Sequence, residues 1–273
     1  MYSTKDKVKE IWSSGDYRSR GQYFPPVSAR LTRYVKLQSD DSVLDLACGY
    51  GNTAITARAI GAKVTGIDIT PKLLALAKEE EKISNISGID WKEGDVEDLP
   101  FEDESFDVVL STFGHIFASN QELAGKEMMR VLKQGGRLGF TSWPPELAVG
   151  KLSDVVSKYN PFPPSEAFSP YNWGVVDKVK QLLPCIKGIY FERDTIKIPI
   201  LSPHHYWQDT ITKAGFMIQI IEALKKQNEK DKIDSFRKDY IKTLEHYICD
   251  NELRLGYLIT VATKQRSNNK PTS

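Results

Sequence analysis

The sequence predicts an α/β fold, a mostly parallel sheet with helices on both faces, and three observations carry that prediction. Short apolar strands alternate with helical segments between residues 43 and 141, a spacing that suits parallel strands joined by right-handed crossovers. The first strand runs straight into a glycine turn, Gly49-Tyr50-Gly51, and then into a helix. The chain has 273 residues, 40% of them hydrophobic, enough to bury a core without disulfides or metals.

Taken in order, residues 5–14 and 24–37 read as two helices joined by a polar, aromatic stretch from Gly15 to Tyr23. Val43-Leu44-Asp45-Leu46 is the first strand, and residues 53–60 form a helix in which Ala54, Ala57 and Ala59 allow close packing. Residues 63–68 form the second strand. Pro71 then starts a helix whose apolar face is Leu73, Leu74, Leu76 and Ala77. Residues 88–94 are a third strand and 106–111 a fourth, followed by a helix over 121–132. Gly135-Gly136 is expected as a tight turn into a fifth strand, 137–141. Residues 144–175 mix six prolines with Tyr159, Phe162, Phe168, Tyr171 and Trp173, which suggests a cap over the sheet rim rather than a solvated linker. Beyond it come a strand over 189–200 and a helix begun by Ser202-Pro203 and running to Lys213. A long amphipathic helix over 230–249, a last strand over 257–262 and a disordered tail from Gln265 complete the chain. The implied organisation is 1–40 as helices covering a ligand site, 41–143 as the ligand-binding core, 144–187 as a cap, 188–264 completing the sheet, and 265–273 as tail.

Composition narrows the partners. A net charge of +1 leaves no basic field for nucleic acid or an anionic membrane. No apolar run approaches the roughly 20 residues of a membrane span, and Met1–Lys7 has no apolar core of the kind a signal peptide needs. Cys48, Cys185 and Cys249 are scattered and lack CxxC spacing. They point to a reducing compartment, with the cytoplasm as the expected location, and to no metal site.

The chemistry concentrates at three strand ends. Gly49 and Gly51 remove Cβ atoms where a ligand would lie against the backbone. The spacing Gly49-x-Gly51-x-x-Ala54 also satisfies a loose dinucleotide fingerprint. Asp45 separates the readings: a carboxylate four residues before the first glycine repels a pyrophosphate and suits a cationic ligand. Asp68 ends the second strand, where it can accept both hydroxyls of a ribose, and Asp95 follows the third, where it can accept from an adenine amino group. Each acid alone reads equally well as a loop cap.

On these residues the chain resembles the class I S-adenosylmethionine-dependent methyltransferases, in particular the small-molecule branch with the ubiquinone and menaquinone enzymes. The resemblance rests on Val43–Ala54, Val64–Asp68, Gly94–Phe101, Ser105–Val109 and Arg130–Leu138 and covers about Ser42 to Trp143. It implies a Rossmann-like seven-stranded sheet whose last strand is antiparallel, with S-adenosylmethionine as cofactor. It further implies Asp45, Ala47, Gly49 and Gly51 against the methionine part and Asp68 on the ribose. Asp95 would meet the adenine, Ile69 and Val96 would sandwich it, and Thr112 and Phe113 would lie near the sulfonium. After Trp143 the likeness to the quinone enzymes ends, so their substrate does not carry over. The Asn-Pro-Pro-Tyr type motif of amino-methylating nucleic-acid enzymes is replaced by Ser111-Thr112-Phe113-Gly114-His115.

The expected activity is therefore methyl transfer by in-line displacement to a small molecule. His115 is the candidate general base, Tyr17 a candidate catalytic contact, and Trp143, Phe168 and Trp173 the candidate acceptor pocket. Each has a plainer reading, as a local hydrogen-bonding residue or as cap packing. The alternatives are an NAD(P)-dependent oxidoreductase and a non-catalytic S-adenosylmethionine-binding module; the protein is expected as a monomer or homodimer.

Overall fold

The structure, a computed structural model, describes residues 5–162, 169–183 and 186–266. Helices α1 (Lys5–Ser14), α2 (Tyr17–Gly21) and α3 (Pro25–Tyr34) precede strand β1 (Ser42–Leu46). Then α4 (Asn52–Ala59), β2 (Lys63–Asp68), α5 (Pro71–Ile83), β3 (Asp90–Glu93), β4 (Phe106–Thr112), α6 (Gln121–Val131) and β5 (Leu132–Ser142) alternate. The last third contains α7 (Ala148–Tyr159), α8 (Val176–Leu182), β6 (Ile186–Pro199), α9 (Pro203–Lys213), α10 (Gly215–Lys226), α11 (Lys230–Glu245), β7 (Ile248–Cys249) and β8 (Glu252–Lys264). Among the described residues no helix is long and apolar enough to cross a membrane.

The sheet runs β3-β2-β1-β4-β5-β8-β6, with the two-residue β7 pairing only with β8. Strands β1 to β5 are parallel, while β8 is antiparallel to both β5 and β6. The short β7 takes the sheet to eight strands where seven are expected. Central strands are apolar on both faces because helices cover both: Val43, Leu44 and Leu46 of β1 and Val108, Val109 and Leu110 of β4 are fully buried. Right-handed crossovers put α4 and α5 on one face and α6 on the other, and every parallel strand ends on one rim.

Strand register explains what is built above that rim. Strand β5 stops at Ser142, opposite Leu258, yet β8 continues from Tyr257 back to Glu252, paired with β6 from Asp194 to Pro199 and, at Leu253 and Glu252 alone, with the short β7. A two-stranded ribbon therefore overshoots the rim. A layer of helices packs against it and against one another: α7 on β8 and α11, α9 on α10 and α11, α1 on α10, and α2 on α9.

Three elements differ from expectation. The 144–187 segment is not a continuous irregular cap: α7 lies inside it, burying Ala148, Leu152 and Tyr159, and its 3–4 residue spacing is obscured by the prolines on either side. Helix α10 buries Met217, Ile220, Ile221 and Leu224, an apolar run with no polar cap before it to mark its start. Instead of a Gly135-Gly136 turn before a short strand, β5 begins at Leu132, and Gly135 (φ +76°) absorbs the register shift against β4. The expected tail falls largely on residues 267–273, outside the described residues.

Helix α3 sits so close to β5 that a Cβ on Gly139 would stand 2.2 Å from Val35 Cγ1 and 3.1 Å from Leu31 Cδ1. Gly139→Ala is expected to lower stability by about 1–3 kcal/mol through overpacking. Urea unfolding checks this; an unchanged midpoint would mean that α3 is seated further away.

Candidate active site

The turn after β1 is held by carboxylates rather than by its own side chains. Helix α4 has no side-chain cap: its N-cap is Gly51, left-handed at φ 96°. The Ala54 N–H in the first turn instead donates to Asp45 Oδ2 at 2.9 Å, so a strand residue satisfies an orphan donor of the helix. One strand over, Asp68 accepts from Gly49 N–H at 2.9 Å and from Thr70 N–H at 2.8 Å. The loop between them takes left-handed backbone at Ala47 (φ 48°) and Gly49 (φ 56°). Nothing lies within 4 Å of the place a Gly49 Cβ would occupy. The loop backbone thus faces open space.

That space is a cavity of about 490 Å³ at the strand rim. It is lined by Asp45, Ala47, Gly49, Asp68, Ile69, Asp95, Val96, Thr112, Phe113, Tyr17 and Trp143, all singled out from sequence. Gly51 is absent from the lining; it serves as the α4 cap, its Cα side against Trp91 and Ala77. The Thr112 hydroxyl is 2.7 Å from that of Thr53, which is 2.9 Å from Ser28 Oγ, a buried chain that ties β4 to α4 and α3.

Electrostatically the cavity is acidic. Asp45, Asp68, Asp95 and Glu97 line it, against Lys5 and Arg20. Lys5 Nζ is 2.7 Å from Asp95 and exposed, so this pair latches α1 over the cavity with little energy. Burial pushes the Asp45 carboxyl up to about 8, with the Asp68 charge adding to the effect and the bond from Ala54 opposing it. Burial also raises Asp68, against its bonds from Thr70 and Gly49.

Phe113, the residue after β4, is a non-glycine at φ 60°, strain of about 1–3 kcal/mol that the surroundings must hold in place. The turn lays its ring flat on Trp143, with centroids 3.9 Å apart and planes at 5°. Phe24 of the chain before α3 flanks the pair at 5.4 Å.

Two expected site residues lie elsewhere. His115 is fully buried, with its ring edge-on to Phe140 and Trp173, and lines no cavity described here. Neither ring nitrogen has a hydrogen-bond partner, and burial depresses its pKa to about 3. The chain turns inward one residue after the rim at Gly114, whose Cβ position is 2.4 Å from Ala47 O. His115 is therefore packing, not a base in contact with ligand. Trp173 is likewise core, fully buried beside Phe140, its carbonyl accepting from Ser142 Oγ at 2.7 Å. Phe168 lies outside the described residues. Tyr17 does line the cavity, but its hydroxyl accepts from Gly215 N–H at 3.2 Å, an anchor between α2 and α10.

Sequence reasoning missed a second cavity of about 320 Å³. It shares Val8, Trp12, Arg20, Phe24, Phe117 and Trp143 with the first. Ile198 and Leu255 of the overshooting ribbon line it, with Leu152 of α7, Tyr206 of α9 and Tyr240 of α11. These residues come from segments far apart in sequence, and only the excess length of β6 and β8 could have signalled the ribbon.

A mostly parallel sheet of this order with an acidic cavity beyond a glycine turn defines an α/β ligand-binding core. The comparisons specify it. Residues 44–140 match the family model described as a methyltransferase domain. An uncharacterized protein of Mycobacterium tuberculosis (strain ATCC 25618 / H37Rv) is 29% identical over 259 residues, spanning 94% of this chain and 93% of its own. A demethylmenaquinone methyltransferase of Chlorobaculum parvum is 38% identical over 116 residues, 42% of this chain and 46% of that protein. The YcgJ protein from Bacillus subtilis has the same fold, with a TM-score of 0.59 at 19% identity over 88% of this chain and 99% of its own. The chain thus carries a class I S-adenosylmethionine-dependent methyltransferase domain, and its cofactor is S-adenosylmethionine. The cavity fits that group: its acidic residues suit a cation, its exposed loop backbone leaves space at Gly49, and Ile69 and Val96 offer apolar surfaces for a base.

Two measurements follow from the buried ionisable groups. In the unfolded chain the histidine gains its proton near pH 6.5, while folded His115 stays neutral down to about 3; stability therefore falls as pH drops through that window. His115→Leu is expected to remove this loss and to add about 1 kcal/mol at pH 7 by deleting two unsatisfied nitrogens, as urea titrations at pH 7 and pH 5 would report. A greater acid sensitivity in the variant would contradict the buried neutral imidazole. For Asp45 the sign is opposite: a carboxyl that stays protonated to about pH 8 in the folded protein costs stability as pH rises from about 4 to 8. A cation bound beside it restores the charge, so S-adenosylmethionine binding at pH 7 is expected to release up to about one proton. Calorimetry in buffers of different ionisation enthalpy checks this, and Asp45→Asn should remove the buffer dependence.

Proposed function

We propose that the protein transfers a methyl group from S-adenosylmethionine to a small molecule seated in the second cavity. The observation that carries the reading is the pair of adjoining cavities: one is acidic and at the strand rim, the other apolar and aromatic, and six residues line both. A donor and an acceptor held in such neighbouring chambers need little more than alignment and exclusion of water.

S-adenosylmethionine supplies an already activated methyl group on a sulfonium. The residues of this chain do the rest. Asp68 accepts hydrogen bonds from the ribose hydroxyls, and Asp95 accepts from the adenine amino group. Ile69 and Val96 pack on the adenine faces, and Asp45 supplies negative charge to the amino-acid part while fixing the first turn of α4. Ala47 and Gly49 give the backbone surface, with Gly51 shaping the turn. Thr112 and the strained Phe113 form the wall nearest the reacting centre. Trp12, Phe24, Phe117 and Trp143 close the chambers to water. The named likeness to a demethylmenaquinone methyltransferase is consistent with a small-molecule acceptor. The family match ends at residue 140, before the α7, α9, α10 and α11 residues that line the second cavity.

Asp68→Asn keeps the size of the side chain and removes its charge. S-adenosylhomocysteine affinity by calorimetry is expected to fall about tenfold or more, and the melt of the ligand-free variant to fall as well, because the amide has one oxygen for the two N–H donors, of Gly49 and Thr70, that Asp68 accepts from. Equal affinity would remove Asp68 from the cofactor site. A screen for S-adenosylhomocysteine release with small aromatic acceptors tests the activity itself.

A further inference from the structure

We propose that the acceptor is an apolar molecule carrying an acidic hydroxyl, a phenol or an enol, that the second cavity holds as its oxyanion against Arg20. This rests on the reading of the second cavity as the acceptor chamber and gives that chamber its chemistry.

The two cavities carry opposite charge. The four carboxylates named above all line the first, and none lines the second. Among the described residues lining the second cavity, Arg20 is the one ionised at neutral pH, set among aromatic and aliphatic side chains and the hydroxyls of Tyr171, Tyr206, Tyr240 and Thr210. A guanidinium stays protonated at all accessible pH. Charge in such surroundings is costly unless something compensates it.

The compensation within the protein is loose. Arg20 Nη1 donates to Thr210 Oγ1 at 3.4 Å, and Nη2 donates to Tyr206 OH at 3.5 Å, both at the outer limit for hydrogen bonds. Among the described residues its one carboxylate ion-pair partner is Asp209, whose Oδ2 stands 3.6 Å away, which lines neither cavity and whose Oδ1 is held by Lys213 at 2.5 Å. The guanidinium lies 5.9 Å from the centre of the Tyr206 ring, and the fork keeps N–H groups to spare. Tyr206 and Asp209 on α9, Tyr240 on α11 and Tyr171 before α8 are the titratable groups around it.

Position adds the second half. Arg20 lines both cavities and so stands at their junction, with its fork turned to Thr210 and Tyr206 of the second. An amine acceptor held as a cation would meet like charge there, on the same side as a cationic cofactor. An oxyanion meets opposite charge from both. A phenol that enters as the anion leaves its proton in solution and needs no base from the protein. That agrees with His115 lying in the core and with the second cavity offering no carboxylate.

The probe is 4-nitrophenol, whose anion is yellow and whose acid is colourless. It is titrated into the full chain saturated with S-adenosylhomocysteine, at the pH of its half-ionisation in buffer, and followed by absorbance and by calorimetry. The bound probe is expected to be about tenfold more acidic than the free one or better. Neutral 4-nitroanisole and cationic 4-nitrobenzylamine should bind about tenfold or more weakly. In Arg20→Met the spectral shift should vanish and the preference for the anion collapse, while Arg20→Lys should retain part of both. A bound probe that titrates as it does in buffer, or an equal affinity for the three compounds, overturns the proposal. Should Arg20→Met fail to fold, the parent's preference among the three compounds still decides. Failure to bind S-adenosylhomocysteine would instead strike the cofactor reading, which separates the two outcomes.

Discussion

Two carboxylates buried side by side at the ends of adjacent strands are the constraint on which this molecule turns. Among the described residues no arginine or lysine pairs with Asp45 or Asp68; backbone N–H groups of Ala54, Gly49 and Thr70 hold them. Those bonds cap α4, pull the loop into left-handed turns at Ala47 and Gly49, and point its open side at the rim cavity. Burial keeps the two acids reluctant to ionise, so the ligand-free site holds unfavourable electrostatics that a bound cation relieves. The same feature that is awkward for folding is what gives the site affinity for a sulfonium and an ammonium.

A different constraint builds the acceptor side. Strands β8 and β6 continue as a ribbon beyond the last residue of β5. So narrow a ribbon is not stable alone; α7 packs on its β8 strand, and α11, α9 and α10 build outward from α7. Their cover is aromatic: Tyr159 stacks on Phe236, and Trp207 meets both Phe236 and Tyr240. The second cavity is the space this layer leaves over Trp143. Arg20 enters it from α2, which places the charge of the N-terminal helices at the boundary between the two chambers.

How far the site was legible depends on where each residue stands relative to a strand end. Asp45, Asp68, Ile69, Thr112 and Phe113 stand at or just after the ends of β1, β2 and β4, whose apolar runs mark them, Asp95 and Val96 follow the short polar β3, and all of them reach the rim cavity. His115 is only three residues beyond β4, yet Gly114 sits so tightly on Ala47 O that the chain dives and buries the imidazole against Phe140 and Trp173. Local spacing does not encode such a dive. Trp173 misled in the same way: a tryptophan among prolines reads as cap surface, but the segment folds back and seals it beneath Ser142.

What the sequence by itself determined is the parallel core and the acidic rim. Strand periodicity, the glycine turn and the position of an acid after each strand are local patterns, and in a parallel sheet all strand ends fall on one edge. What only the tertiary structure decided is the acceptor chamber. Its walls come from α1, α2, α7, α9, α10 and α11 and from the overshooting ribbon, far apart along the chain, with Val8 at one end of the lining and Leu255 at the other. Their meeting is a matter of packing between faces, and the charge left at the junction becomes visible once those faces are assembled.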